Sequence, residues 1–322
     1  MTHLASAPLA YSIGTSILQV ALFALVGPLL LGLMDKIRSR AEGRQGASVL
    51  QPLRDIRKLM TKERLHAHFS SAVLPLAPIV LLVATVVATA ITPLASTQPT
   101  LASSADIYVI VYLLLTGSIA LALAGLDTGT AFGGMGSSRA MTISALAEPA
   151  LLVAVLALSI QAGTSNLPTI ISRTLSHPTM LSSPTRLLAL VAILIVVIAE
   201  TGRLPVDNPS THLELTMIHE AMILEYAGPE LGLVTMASAM RLALLFALVA
   251  NLFIPWGIAT NSSLTALAMG GLWLVIKTSA IAVGVSFMEV HRAKLRLFRV
   301  PELLAGGFVL SVLAVVTGLV TR

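Results

Sequence analysis

Hydrophobic residues in this chain run in long blocks, at 11–34, 70–92, 107–126, 142–162, 186–200, 231–254, 264–287 and 302–320. Each approaches the roughly 20 apolar residues that an α-helix needs to cross a bilayer. The pattern predicts an all-α, polytopic membrane protein of about eight transmembrane helices, with residues 1–322 forming a single integral membrane domain. The fifth block is short, as expected of a helix that ends early at a polar cavity.

One segment between blocks has helical periodicity of its own. In VLQPLRDIRKLMTKE, Val49, Leu50, Leu53, Ile56, Leu59 and Met60 recur at helical spacing, with Arg54, Arg57 and Lys58 opposite. This is the pattern of an amphipathic helix on the inner membrane face, either anchored on anionic lipid or docking a soluble partner. Gly43 and Gly46 flank Arg44 and make a flexible turn before it. The stretch GLDTGTAFGGMGSSR at 125–139 is not a phosphate loop, because no Gly-Lys-Ser/Thr follows and no strand precedes it. Its glycines allow close backbone packing, and Asp127 and Arg139 bracket it, either paired or solvated. The connection 163–185 is rich in Ser, Thr and Pro, a loop with room for a short surface helix.

Charge adds an orientation. The chain is 56% hydrophobic and 11% charged, less than half the roughly 25% charge of soluble domains. Fifteen of the twenty Lys and Arg residues fall in segments 35–69, 127–141, 201–230 and 288–301. The alternate segments hold Arg173, Arg186 and Arg322. The positive-inside rule then places the chain in the cytoplasmic membrane with both termini outside. The net charge of +5 follows this topology, so nucleic acid is not an expected partner; the lipid bilayer is. Residues 1–16 lack a basic n-region, so no cleavable signal is expected. The absence of cysteine excludes disulfides and thiolate-held iron–sulfur or nickel–iron centres, and no cofactor is expected.

The acidic residues are concentrated as well. Segment 199–229 holds Glu200, Asp207, Glu214, Glu220 and Glu225, five of the fifteen acids in the chain. A carboxylate near membrane depth is costly, so such a cluster faces a protein interior or a water-filled path, unless it is a merely solvated loop. Glu200 closes an apolar block, and Glu148 lies within the fourth block, followed by Pro149. Arg241 and Lys277 sit inside the sixth and seventh blocks and need a carboxylate, water or a snorkelling route. Together with Glu148 and Glu200 they suggest a connected polar axis, although each alone also fits a structural ion pair. Thr211 to Glu214 matches a capping box. His219-Glu220 lacks a second His four residues on, and His212 with His219 makes a weak metal case, so no metal is expected.

The run Glu200-x-x-Arg203-x-Pro205-x-Asp207, then Glu214-Leu215 and Glu225-Tyr226-Ala227-Gly228, resembles the membrane subunit shared by respiratory complex I and group 4 nickel–iron hydrogenases, formate hydrogenlyase included. Leu53-Arg54-Asp55-Ile56-x-Lys58-Leu59, Gly125-Leu126-Asp127-Thr128-Gly129, Ser138-Arg139 and Glu148-Pro149 look closer to the hydrogenase branch. The likeness spans about residues 20 to 310. It departs where the family usually carries Arg-x-Gly-Pro, since Ala47 follows Arg44-Gln45-Gly46, and where Ser210 and His212 replace two usual carboxylates. These departures favour a branch that passes redox energy to ion-pumping subunits without quinone as acceptor.

The resemblance implies a subunit of an oxidoreductase complex with no redox centre of its own. It implies nickel–iron hydrogenase-like large and small subunits, iron–sulfur subunits and antiporter-like membrane subunits as partners. A proton or sodium path would involve Glu148, Glu200, Asp207, Glu214, Glu225, Arg241 and Lys277. Docking of the peripheral arm would involve Arg44, Arg54, Asp55, Lys58, Asp127, Arg139 and Arg203. The rival reading is an independent, carboxylate-dependent secondary transporter. Such folds often carry inverted repeats, and segments 11–162 and 186–320 show no convincing similarity. A purely structural anchor is the third reading.

Overall fold

The computed structural model describes residues 9–65, 70–98, 102–204, 206–207, 218–292 and 299–320. Its long helices are α1 (Leu9–Ala41), α3 (Val73–Ile91), α4 (Ile107–Asp127), α5 (Ala131–Ala162), α7 (Pro184–Glu200), α9 (Gly228–Phe253), α10 (Leu264–His291) and α11 (Val300–Val320). Three short ones, α2 (Gln51–Met60), α6 (Leu167–Ser176) and α8 (His219–Ile223), lie in the connections. Among the described residues the only β pairings are two isolated bridges.

All the long helices except α7 are long and apolar enough to cross a membrane. Helix α7 has 17 residues, about 25 Å at 1.5 Å per residue, at the lower end of the spanning range. It packs between α5 and α11. The alternation of the chain puts the α1–α2–α3, α4–α5, α7–α8–α9 and α10–α11 connections on one face. That face, the basic face, carries most of the basic residues.

Several boundaries differ from the hydropathy blocks. Helix α1 runs to Ala41 and α10 to His291, beyond the apolar residues, because an α-helix can continue into polar sequence once its core-facing side is packed. Helix α5 begins at Ala131, inside the glycine-rich stretch that hydropathy assigns to a loop. Thr130 caps it, its hydroxyl accepting from the Gly133 amide at 3.2 Å. Glycine costs a helix about 1 kcal/mol per residue. Here its bareness is used: a Cβ at Gly136 would stand 2.8 Å from the Cβ of Ala221 on α8, and one at Gly133 would meet the Gly125 carbonyl at 2.3 Å.

Helix α2 shows another difference. Its apolar side is turned on this chain itself, packing on α9 and α1. Ile56 is buried, and the bare Cα of Gly232 admits the side chains of Leu59 and Met60. Leu50 and Met60 remain exposed, as do Arg54, Arg57 and Lys58 on the basic face.

The main core joins Phe23, Leu30 and Met34 of α1 to Leu244, Phe246 and Val249 of α9, and reaches α5 through Val155 and Leu158. Close approach at two glycines of α1 makes this possible. A Cβ at Gly27 would stand 2.7 Å from the Ala239 carbonyl, and one at Gly32 would stand 2.1 Å from the Val49 carbonyl. Both obstacles are backbone and cannot rotate away. Gly32→Ala should therefore lower the thermal unfolding midpoint in mild detergent, at the scale of about 1–3 kcal/mol typical of overpacking. Gly306→Ala on α11, where nothing lies within 4 Å, should leave it unchanged or raise it, since alanine is the better helix former. Equal midpoints for the two variants would contradict this packing.

Candidate functional site

Beneath the basic face lies a cavity of about 540 Å³. It exists because α7 stops at Glu200 and the chain leaves the helix through Gly202, whose φ of +58° suits glycine. The ends of α1, α2 and α8 and the middle of α9 enclose the space so vacated. Its polar wall brings together Glu200, Arg203, Asp207, His219, Glu220 and Arg241.

The deepest part is an ion pair. Arg241, on α9, reaches across to the Glu200 carboxylate, and its other terminal nitrogen donates to the Ser118 hydroxyl of α4 at 2.6 Å. Both charged side chains are about nine-tenths buried. Three helices are thus tied at one point. Glu148, on α5, is half-buried and close enough to feel the charges of both Glu200 and Arg241. One guanidinium therefore serves two carboxylates, and a second negative charge there would be poorly compensated.

Nearer the basic face, Arg203 lies 3.8 Å from Glu289 of α10, both nearly fully buried. Burial lowers the Arg203 guanidinium from its ordinary pKa, and the Glu289 carboxylate opposes that shift. Both Glu289 oxygens are buried without a hydrogen-bond partner among the described residues. Asp207 is buried, and its carboxylate accepts from the His219 amide at 3.4 Å. Asp35 and Arg38 pair at 3.1 Å on the last turns of α1 and line the same cavity.

Of the predicted path residues, Glu200, Asp207 and Arg241 line the cavity, with Glu148 beside Glu200 and Arg241. Glu225 is half-buried on the link from α8 to α9, outside the cavity wall. Glu214 and its capping box lie outside the described residues. Lys277 stands apart: its ammonium donates to Asn251 Oδ1 and to the carbonyls of Ile254 and Trp256, beyond the end of α9. Those acceptors begin ten residues past Arg241, about 15 Å along the helix. Among the described residues, Lys277 shares no ion pair with Glu148, Glu200 or Arg241.

The predicted docking residues divide similarly. Arg54 and Lys58 are exposed, Asp55 is exposed at the cavity mouth where Gln51 donates to it at 2.8 Å, and Arg44 pairs with Glu42 at the surface. Asp127 accepts from the Ser71 amide at 2.8 Å, and Arg139 lies over the Met135 sulfur. Arg203 belongs to the cavity instead. Sequence reasoning missed Glu289, Asp35, Arg38 and Ser118. Hydropathy ends the first block at 34 and the seventh at 287, which assigns Asp35, Arg38 and Glu289 to loops. An acid one turn past an apolar block, facing a basic loop, was the available signal. Ser118 had none.

Comparison with known proteins places these features in context. The model of the NADH dehydrogenase family matches residues 14–320. Hydrogenase-4 component C of Escherichia coli (strain K12) is 32% identical over 305 residues, covering 94% of this chain and 95% of that protein. Formate hydrogenlyase subunit 4 of the same organism is 31% identical over 307 residues, covering 94% and 97%. Among solved structures, a chain of the membrane-bound sulfane sulfur reductase, an archaeal respiratory membrane complex, superposes with a TM-score of 0.81 at 19% identity, covering 94% of this chain and 98% of that one. At that identity the likeness concerns the fold.

The Glu200–Arg241 geometry predicts strong coupling between the two residues. Arg241→Met alone leaves Glu200 buried without its cation and should cost about 3–5 kcal/mol. Adding Glu200→Gln should recover much of that loss, because an amide needs no counter-ion. A double-mutant cycle on thermal stability checks this, and additive losses would contradict it.

Proposed function

The chain belongs to the NADH dehydrogenase family, and on that premise we propose that it is the membrane anchor and energy-coupling subunit of a hydrogenase-like or complex I-like oxidoreductase. In this reading the exposed basic residues of α2 and the 127–139 segment dock the peripheral electron-transfer arm. That arm contributes the nickel–iron hydrogenase-like large and small subunits and the iron–sulfur subunits. Antiporter-like membrane subunits lie beside this chain in the bilayer. The redox centres belong to the partners, consistent with a chain that has no cysteine.

The observation that carries the reading is the cavity whose wall holds Glu200, Asp207 and Arg203 beneath the docking face, with Glu148 just beyond. A carboxylate whose charged and neutral forms are close in energy changes occupancy when a neighbouring charge moves. Arg203 and Asp207 lie on the segment between α7 and α8, next to that face. A shift of this segment as the docked arm changes redox state would alter the potential at Glu200. Arg241 would then compensate Glu148 more or less strongly, and a proton or sodium ion would be taken up or released. Docking segment, cavity and deep ion pair form one electrostatic lever.

Two measurements test this. Glu148→Gln keeps shape and removes titration. It should leave the complex assembled and its redox half-reaction intact while ion translocation per electron in vesicles falls strongly. Wild-type stoichiometry per assembled complex would end the coupling role. For docking and orientation, the cysteine-free chain permits a single probe, Lys58→Cys. An impermeant thiol reagent should label it from the cytoplasmic side when the chain is alone and not in the assembled complex. Labelling in the intact complex would sink the docking face, and labelling from the external side would reverse the topology.

A further inference from the structure

The end of the bundle away from the basic face contains broken backbone that a bilayer protein must account for. Helix α3 stops at Ile91 and α9 at Phe253, and the segments that follow each fold back into the protein. Leu94, Ala95, Ser96 and Thr97 are buried, as are Ile258 and Ala259. The two segments pair directly, Thr97 N donating to Ala259 O and Ala259 N to Ala95 O, each at 3.0 Å. Gly270 of α10 makes room, since a Cβ there would stand 2.2 Å from the Ala95 carbonyl.

Further backbone groups here are met by three side chains from three helices. Gln19 of α1, fully buried, accepts the Leu94 and Ala95 amides at 3.3 and 3.0 Å, while its amide nitrogen donates to Thr92 O at 3.2 Å. Asn251 of α9 donates to Leu94 O at 2.8 Å and to Pro93 O at 3.2 Å. Its own oxygen accepts from Lys277 at 2.8 Å. The ammonium spends its other donors on Ile254 O and Trp256 O at 3.0 and 3.1 Å. Three donors meet three oxygens, which fits a protonated lysine with no donor left over. Two of the oxygens lie just past the C-terminus of α9, where a helix favours a cation. No carboxylate among the described residues pairs with Lys277.

We propose that Lys277, with Asn251 and Gln19, forms an ammonium-locked seal that closes this chain to water and cations at the end opposite the basic face. Its hydrogen bonds saturate irregular backbone that would otherwise draw water into the bilayer region. Its uncompensated positive charge repels cations approaching from that side. Between it and Arg241, Leu244, Phe246, Ala247 and Ala250 of α9 are all buried apolar residues. The carboxylate cavity is therefore a blind vestibule, and ions reaching it do not leave straight through this chain.

The test uses single cysteines in the otherwise cysteine-free chain, assembled in native membranes, with an impermeant thiol reagent on either side. Ser238→Cys, in the cavity wall, should be labelled from the basic face in membranes that hold this chain without its peripheral arm, and from the other face in neither state. Thr278→Cys, buried beside Lys277, should be labelled from neither. In a Lys277→Met background, Thr278→Cys should become reactive from the opposite face several-fold faster, whereas Lys277→Arg should keep it protected. Labelling of Thr278→Cys from the opposite face while Lys277 is present would overturn the seal, as would continued protection after Lys277→Met. If Lys277→Met does not accumulate, the arms with Lys277 present decide the question alone. None of these readouts requires redox turnover, so the seal and the coupling role can fail separately.

Discussion

Lipid offers neither water nor hydrogen-bond partners, so each charge and each broken turn of backbone among these helices has to be satisfied from within the assembly. The chain meets this constraint in two ways at its two ends. Toward the basic face it keeps a cavity and collects charge around it, with Glu200 held by Arg241 and Arg203 set beside Glu289. At the opposite end Gln19, Asn251 and Lys277 answer bared amides and carbonyls of the segments that follow α3 and α9. One end thus gathers paired charges around a cavity, and the other sets a single ammonium among neutral oxygens.

The difference lies in the partners. Arg241 faces a carboxylate that has a second carboxylate nearby, so two negative groups share one guanidinium. Lys277 faces three neutral oxygens, and losing its proton would leave an acceptor unfilled. An ion-coupled device needs both kinds of site. Movement of a charge does useful work only where the protein elsewhere forbids leakage.

Close helix approach makes the arrangement possible. Gly27 and Gly32 bring α1 against α9 and the α1–α2 connection, and Gly232 seats α2 under α9. Small residues do here what they do in membrane bundles generally, letting backbones meet where hydrophobic burial cannot drive them together.

Block hydropathy and the motif from Glu200 to Gly228 are local properties of the chain, so the class of protein, the approximate helices and the family were legible in its residues alone. Glu148, Glu200, Arg241 and Lys277 also stood out as costly charges, since an ionised group in an apolar run needs an explanation wherever it sits. Their partners were not legible. Arg241 and Glu200 are 41 residues apart, Arg203 and Glu289 lie on different elements, and Lys277 bonds to backbone beyond a helix end. Hydropathy also cut α1 and α10 short, hiding Asp35, Arg38 and Glu289, because it measures what lipid tolerates and not how far a packed helix continues. Which charge meets which is set by helix crossing and close glycine contacts, and those exist only once the bundle is folded.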